Sequence, residues 1–288
     1  MTSPAPNSFA ARLGTAAAAS SLLWIARTVL GLIVVYPLLP ALQASGMLNG
    51  PDGEAVLFRP GSALLLEGVR VGTPELLVAA KVALLLCAGS VVVGLVPLAL
   101  ALDWLCLQRD PIAARVVRAV SFFWRFLKLG MVALLAQAAL LLAASLLSGA
   151  VKSALEKSDE RWLSLAPSAV LVLGLLGCVY FGAVLDLARA SVVQASSTAH
   201  EGLHRALVCL RKRPLAVLFG IYPSVAGSAL AYLSALWFTT RLNLSTPSHL
   251  GLAWSFTANQ AAALFAIAWR VRWLGRALEL SANPNLRP

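Results

Sequence analysis

The chain has 288 residues, of which 59% are hydrophobic and only 12% are charged. A soluble domain averages about 25% charged residues, so this composition excludes an ordinary soluble enzyme or binding module. The net charge of +11 would suit nucleic acid, but basic residues beside membrane spans have a more general cause, which is their retention on the cytoplasmic side. We therefore expect a membrane protein with no nucleic-acid partner.

Six long apolar stretches alternate with segments that hold nearly all the charge. A hydrocarbon core about 30 Å thick requires roughly 20 apolar residues for each helical crossing. This pattern predicts an all-α, polytopic membrane helix bundle in which residues 1–288 form a single integral membrane domain. The six predicted transmembrane helices are 22–44, 78–105, 129–151, 163–186, 215–239 and 250–272.

The first span also has features of a secretory signal, since a charged start precedes an apolar run of about 15 residues. However, Leu42-Gln43-Ala44 lacks a small residue at the third position before a cleavage site, and a long Ala-rich stretch precedes the apolar run. We expect this segment to be retained as a membrane anchor. Residues 9–21 give no clear prediction.

Basic residues are distributed unequally between the segments that separate the spans. Most of the 23 Lys and Arg residues lie on the amino-terminal side of the membrane, which predicts a multi-pass inner (plasma) membrane protein with both termini in the cytoplasm. Tryptophans favour the headgroup level, and all eight lie near span ends. Their predicted positions are Trp24, Trp104, Trp124, Trp269 and Trp273 on the inner side and Trp162, Trp237 and Trp254 on the outer side.

The external segment 43–75 and the first long cytoplasmic connection, residues 111–127, carry local structural signals. Segment 43–75 contains Asn49-Gly50-Pro51-Asp52-Gly53, which indicates a turn before a short helix or re-entrant segment on the outer surface. Connection 111–127 begins with Pro111 and spaces its apolar residues along one helical face. These apolar residues are Ile112, Val116, Val120, Phe123 and Leu127.

We expect residues 111–127 to form an amphipathic helix at the inner membrane surface, with the aromatic run 122–124 inserted among the headgroups. The second connection, residues 189–213, has a polar block and then an apolar face of Leu203, Leu207 and Leu210. Its helix should end at Arg213, because Pro214 cannot donate a backbone hydrogen bond. Basic residues on both connector helices predict contact with anionic lipid headgroups.

His200-Glu201-Gly202-Leu203-His204 matches the H-E-x-x-H pattern of zinc metalloproteases. On a helix, both imidazoles would share one face to bind Zn²⁺, while the Glu would activate the metal-bound water. Gly202 weakens the helix, a basic cluster adjoins the motif, and only Asp186 and Glu279 are candidates for a third ligand. We interpret the motif as a surface helix with two solvated histidines. We therefore assign no catalytic, cofactor-binding or metal-ligating residue and expect no cofactor.

Polar residues, glycines and prolines within the spans favour structural roles. Lys81, Asp103 and Asp186 lie near span ends, where neighbours such as Arg109 or Arg189 can pair with the carboxylates. Side-chain amides within spans more often bond between helices than bind substrate. The residues with these expectations are Gln137, Asn259 and Gln260 for interhelical bonds, Gly174, Gly177, Gly182, Gly220 and Gly227 for close helix approach, and Pro97 and Pro223 for kinks.

A resemblance rests on residues 186–190, Glu201-Gly202-Leu203, Arg205-Ala206-Leu207, residues 211–214 and the aromatic run 122–127. These segments resemble uncharacterised bacterial multi-span proteins, which are similar to the membrane domain attached to some glycerophosphodiester phosphodiesterases. The resemblance implies a six-helix membrane module without an established reaction. The soluble phosphodiesterase part is absent, so its activity is not carried over.

These observations favour an integral inner-membrane protein without a catalytic site, acting as a structural or accessory component of an envelope or transport system. Its expected partners are the lipid bilayer, anionic headgroups at the connector helices, and other membrane proteins. One alternative is a small transporter or lipid-handling protein built around the kinked spans. Another is a membrane zinc metalloprotease that uses His200, Glu201 and His204.

Overall fold

The computed structural model describes residues 9–37, 74–106, 110–155, 160–241 and 249–282. Within these ranges the regular structure is entirely helical, which confirms the predicted all-α class. In chain order the helices are α1 (Phe9–Val35), α2 (Pro74–Val93), α3 (Leu95–Leu105), α4 (Ile112–Ser121), α5 (Phe123–Ala154), α6 (Glu160–Ala195), α7 (Ala199–Lys212), α8 (Pro214–Arg241) and α9 (His249–Ser281).

Five helical segments in the described part of the chain are long and apolar enough to cross a membrane. They are Gly14–Val35, Val78–Leu105, Phe123–Ala154, Leu165–Ala195 and Pro214–Arg241. The sixth predicted span lies within α9, which is helical but is not among these five segments. Asn259 and Gln260 lie in the middle of its apolar stretch and lower its mean hydropathy.

The first helix differs from its predicted bounds. It begins at Phe9, well before the predicted start at residue 22, because the Ala-rich stretch that gave no clear prediction is helical. Ala has the highest helix propensity, so no break separates this stretch from the apolar run. The end of the predicted span and the turn expected in segment 43–75 fall on residues 38–73, outside the described residues.

The second apolar segment is divided into α2 and α3 at Gly94. Pro97 explains the division, because a proline lacks the N–H that would bond the carbonyl of Val93 and its ring crowds that carbonyl. The neighbouring bonds persist, from Gly94 N–H to Ser90 at 2.8 Å and from Leu98 N–H to Gly94 at 3.3 Å. The division lies near Pro97, where a kink was predicted, and α8 continues through Pro223, so the kink expected there stays a prediction.

Contacts divide the chain into two units, and both α8 and α9 contribute residues to each. The first unit is Met1–Ala101 with Ala226–Val271. In this unit α1 packs against α2, and the face of α8 at Gly227 lies directly against the indole of Trp269 on α9. An apolar groove of about 620 Å³ lies between residues 230–238 of α8 and 258–265 of α9.

The second unit is Leu102–Val225 with Arg272–Pro288. Its α5 and α6 pack closely, because Gly174 and Gly177 leave room for Ala144 and Leu140 of α5. The side chain of Gln137 donates a hydrogen bond to the carbonyl of Cys178 at 3.0 Å. The expected interhelical bond of Gln137 is therefore confirmed.

The amide of Asn259 behaves differently from that of Gln137. It donates to the carbonyl of Ser255, one turn earlier in its own helix, at 2.9 Å. The interhelical bond expected for Asn259 is therefore not formed by this donor. An amide that bonds a carbonyl of the preceding turn satisfies its donor without a second helix.

The apolar segments present many large side chains outward. Leu84 and Leu85 of α2 are each 72% exposed, and Phe219 of α8 is 74% exposed. Contiguous apolar surface of this extent is rare on soluble monomers, whereas hydrocarbon covers it without penalty. The chain therefore has the surface of a multi-pass helical membrane protein.

Gly174→Ala tests the close contact between α5 and α6. The added Cβ would lie 2.6 Å from the Cβ of Ala144, which cannot rotate away, so the helices must separate. We expect the free energy of unfolding to fall by about 1–3 kcal/mol, as for other overpacked cores. Gly149→Ala on α5 is the control, because nothing lies within 4 Å of its added Cβ. Equal unfolding midpoints for the two detergent-solubilised variants would contradict this packing.

Candidate functional site

A buried carboxylate at the end of α3 joins that helix to α4. Asp103 is 2% exposed and accepts hydrogen bonds from Nε and Nη2 of Arg118 at 3.2 and 3.1 Å. The remaining Nη1 of Arg118 bonds the carboxylate of Asp110. Bidentate contacts of this kind combine charge and geometry. The bonds to Asp110 and then to Asp103 raise the pKa of Arg118, so this cation is permanent.

Arg115 lies on the same side of α4 as Arg118 but has different partners. Its Nε donates to the backbone carbonyl of Asp110 at 3.0 Å, and its guanidinium lies over the ring of Trp104 at 5.7 Å from the centroid. The side chain is 8% exposed. Its buried Nη1 has no hydrogen-bond acceptor in the described part of the chain.

Cys106 follows α3 directly and is the thiol nearest to this carboxylate in sequence. Burial and, to a smaller extent, the negative charge of Asp103 raise its pKa to about 11, although Arg118 lowers it. The thiolate is the reactive form of cysteine. Cys106 is therefore a protonated, unreactive thiol at neutral pH.

The two faces of α4 have opposite environments. Its arginines face the protein, while Ile112, Val117 and Val120 are between 54% and 70% exposed. The helix ends at Ser121 instead of continuing to Leu127, so Phe123 and Leu127 of the expected apolar face lie outside α4. A turn at Phe122 separates it from α5, which begins at Phe123.

The aromatic run after α4 is only partly exposed. Phe122 and Phe126 are 3% and 0% exposed and stack with their centroids 6.3 Å apart. The expectation that the whole run inserts among headgroups is therefore wrong for Phe122, which packs inside the protein. Trp124 is 67% exposed, so its predicted position among the headgroups stays a prediction.

A second buried acid, Asp186, joins α6 to α9. It is 0% exposed, and Trp273 is 1% exposed. The indole Nε1–H of Trp273 donates to Oδ2 of Asp186 at 2.8 Å. Gly220 of α8 makes room for this indole, since a Cβ there would lie 2.5 Å from the ring. Trp273 is therefore buried inside the protein, where Asp186 binds its N–H, and its predicted position on the inner side of the membrane stays a prediction.

The turn between α6 and α7 is held by an arginine of α5. Ser196 has a φ of 49°, in the left-handed region that helices often adopt just beyond their last residue. Nη1 of Arg125 donates to the carbonyls of Ser196 and Ser197 at 3.0 and 3.2 Å. These bonds satisfy carbonyl groups that have no partner within a helix.

The residues of the H-E-x-x-H match form the start of α7. The N–H of Glu201 donates to Oγ1 of Thr198, and the N–H of Thr198 donates to the carboxylate of Glu201, both at 3.3 Å. This reciprocal capping box is typical of helix N-termini. A Cβ on Gly202 would lie 2.9 Å from the carbonyl oxygen of Ala188 and 2.6 Å from Val192. Gly202 thus allows α7 to lie against α6.

The structure does not assemble a metal site around this motif. His200 and His204 are exposed, Asp186 is buried against Trp273, and Glu279 is an exposed residue of α9. Among the described residues, no group of three His, Cys, Asp or Glu side chains could hold a metal ion. Glu201 and Gly202 have structural roles that explain their presence without metal chemistry.

Sequence reasoning missed Arg118 and Trp273 as partners of the two buried acids. It paired Asp103 with Arg109, which lies outside the described residues, whereas Arg118 binds this carboxylate from fifteen positions away. The spacing of Arg115 and Arg118 does place both on one helical side, away from the apolar face. For Asp186 no local signal existed, since Trp273 follows it by 87 positions.

The family models, curated proteins and solved structures compared with this chain include none that matches it. The fold alone therefore defines the class of this protein. It is a multi-pass helical membrane protein with buried acids near helix ends.

Trp273→Phe tests the bond to Asp186. The variant keeps an aromatic ring but removes the N–H donor, so it should lower the free energy of unfolding by about 1–3 kcal/mol, the usual cost of a buried acceptor that loses a partner. Trp124→Phe is the control, since that indole is 67% exposed. The measurement compares the unfolding midpoints of the two variants in the same detergent. A loss no greater than that of the control would show that the bond contributes little.

Variants of the motif distinguish a helix start from a zinc site. Thr198→Ala should lower stability by about 1 kcal/mol, because it removes the cap of α7. His200→Ala with His204→Ala should change stability by less than about 0.5 kcal/mol and leave metal content unchanged. Glu201→Gln should keep the cap, since Gln also completes a capping box. Stoichiometric zinc in the purified protein, lost in the double histidine variant, would overturn this assignment.

Proposed function

We propose that this chain is a six-span inner-membrane protein with both termini in the cytoplasm, acting as a non-enzymatic structural or accessory component of an envelope or transport system. In this role it presents α4 and α7 at the cytoplasmic surface to anionic lipids and to other membrane proteins. The observation that carries the proposal is the hydrogen bonding of the two buried carboxylates, Asp103 and Asp186. Each binds a side chain of another helix, so these carboxyl groups serve structure.

The dimensions and packing of α9 support a sixth span. The helix has 33 residues, and at 1.5 Å per residue it is long enough to cross a hydrocarbon core of about 30 Å. It packs against α8 at Gly227 and Trp269. Neighbouring helices allow a span to carry polar residues such as Asn259 and Gln260, which lower hydropathy without preventing insertion.

The surfaces of the two connector helices support the membrane-surface role. The exposed apolar side of α4 is suited to the boundary between headgroups and acyl chains. On α7, Leu207 is 50% exposed and Arg211 and Lys212 near the end of the helix are exposed. Each basic residue near an anionic surface contributes about 1 kcal/mol of attraction.

A lipid-handling function is a second candidate because of the groove between α8 and α9. Its volume of about 620 Å³ is within the range of about 300–1,000 Å³ typical of small-molecule sites. Its lining includes alanines from both helices, and Ser234 is its one hydroxyl-bearing residue. Such a groove suits an acyl chain more than a polar substrate.

Single-cysteine labelling tests orientation and surface presentation together. In a background without the four native cysteines, Val117→Cys, His204→Cys and Ser153→Cys would be treated with a membrane-impermeant maleimide in spheroplasts and in inverted vesicles. All three native residues are exposed in the structure, so only the bilayer distinguishes them. We expect His204→Cys to react in inverted vesicles, Ser153→Cys to react in spheroplasts, and Val117→Cys to react in neither.

Two results would contradict the proposal. Reaction of His204→Cys from the outside would reverse the orientation derived from the basic residues. Equal reaction of Val117→Cys and His204→Cys in inverted vesicles would place the apolar side of α4 in water. A maleimide that crosses membranes provides the control, because it should label all three variants once detergent is added.

A further inference from the structure

The amino terminus of α4 has free hydrogen-bond donors. The helix begins at Ile112 after Pro111, and no described side chain caps it or places an acid in its first turn. The first N–H groups of a helix have no partner within it, and the helix dipole gives this end a partial positive charge. Both features favour a bound anion.

Arg115 supplies a second, independent indication at the same place. The bond from its Nε to the carbonyl of Asp110 brings the guanidinium back beside the first turn of α4. The side chain is only 8% exposed, and its Nη1 is a buried donor without an acceptor among the described residues. A buried donor left unbonded costs about 1–3 kcal/mol, so an acceptor is expected here.

The neighbouring carboxylates do not supply that acceptor. Asp103 and Asp110 both bind Arg118, and neither carboxylate is hydrogen-bonded to Nη1 of Arg115. The guanidinium carbon of Arg115 lies over the ring of Trp104, 5.7 Å from its centroid. A planar cation next to free backbone N–H groups suits a tetrahedral oxyanion, whose several oxygens can accept from both.

The geometry points to a phosphate-binding site formed by the amino terminus of α4 and the side chain of Arg115. The ligand class is a phosphate group, either the headgroup phosphate of a phospholipid or a free phosphate. Ile112 next to the site is 67% exposed and apolar, so a lipid bound there could lay an acyl chain along α4. The lipid form of the inference rests on the membrane-surface position proposed above for α4, and the free-phosphate form does not.

A matched pair of variants at Ala113 tests this site in the full-length chain. Ala113 is exposed and lies in the first turn, so Ala113→Glu and Ala113→Gln differ only by one negative charge at the site. The glutamate should not destabilise the unliganded protein, since an acid at a helix amino terminus is favourable. It should nevertheless weaken phosphate binding about tenfold, or about 1.4 kcal/mol, relative to the glutamine variant.

Affinity would be measured from the shift of the unfolding midpoint in a neutral detergent. One arm titrates sodium phosphate against sodium chloride at equal ionic strength, and the other adds phosphatidylglycerol or phosphatidylcholine to the micelles. Arg115→Gln should lose most of the binding, whereas Lys128→Gln, an exposed basic residue of α5, should leave it within about twofold, as for a distant surface charge.

The two arms identify the source of the phosphate. A shift with phospholipid alone assigns the site to a lipid headgroup, and a shift with inorganic phosphate assigns it to free phosphate as well. No shift with either probe, or equal affinity for the two Ala113 variants, would overturn the site. Binding in the phosphate arm together with aqueous labelling of Val117→Cys would refute the surface position of α4 while leaving the site intact.

Discussion

A carboxyl group at the end of an apolar helix must find a partner if the protein around it excludes water, and two such groups organise the second unit. Asp103 receives the guanidinium of Arg118, and Asp186 receives the indole N–H of Trp273. Removing one member of such a pair lowers the free energy of unfolding by more than the intact pair contributes to it, because the other member remains buried. These bonds determine where α4 and α9 lie against α3 and α6.

The region around the H-E-x-x-H match shows how a catalytic pattern arises from structural needs. A helix that starts after a tight turn favours Thr at its cap and Glu three positions later. A helix that lies against its predecessor requires a small residue at the contact, here Gly202. The exposed side of α7 then carries polar residues, and two of them are histidines. Each position has its own cause, and none of these causes requires zinc.

The sequence predicted those features of the fold that depend on local chemistry. The interruption near Pro97, the interhelical bond of Gln137 and the close approach at Gly174 follow from the properties of single residues. The burial of Trp273 and Phe122 could not be predicted, because interfacial preference is an average that a specific buried partner overrides. The end of α4 at Ser121 was also missed, since the apolar spacing continues past it while the backbone turns at Phe122.

The bond between Asp186 and Trp273 has a consequence for biosynthesis. Its two members are separated by 87 positions, and Gln194 likewise bonds the carbonyl of Leu278 near the end of α9. During translation α6 is made well before α9 exists, so Asp186 lacks the N–H donor of Trp273 throughout that interval. The described contacts of the second unit are thus completed only after α9 has been made, and a chain that stops before α9 lacks the bond from Trp273 to Asp186.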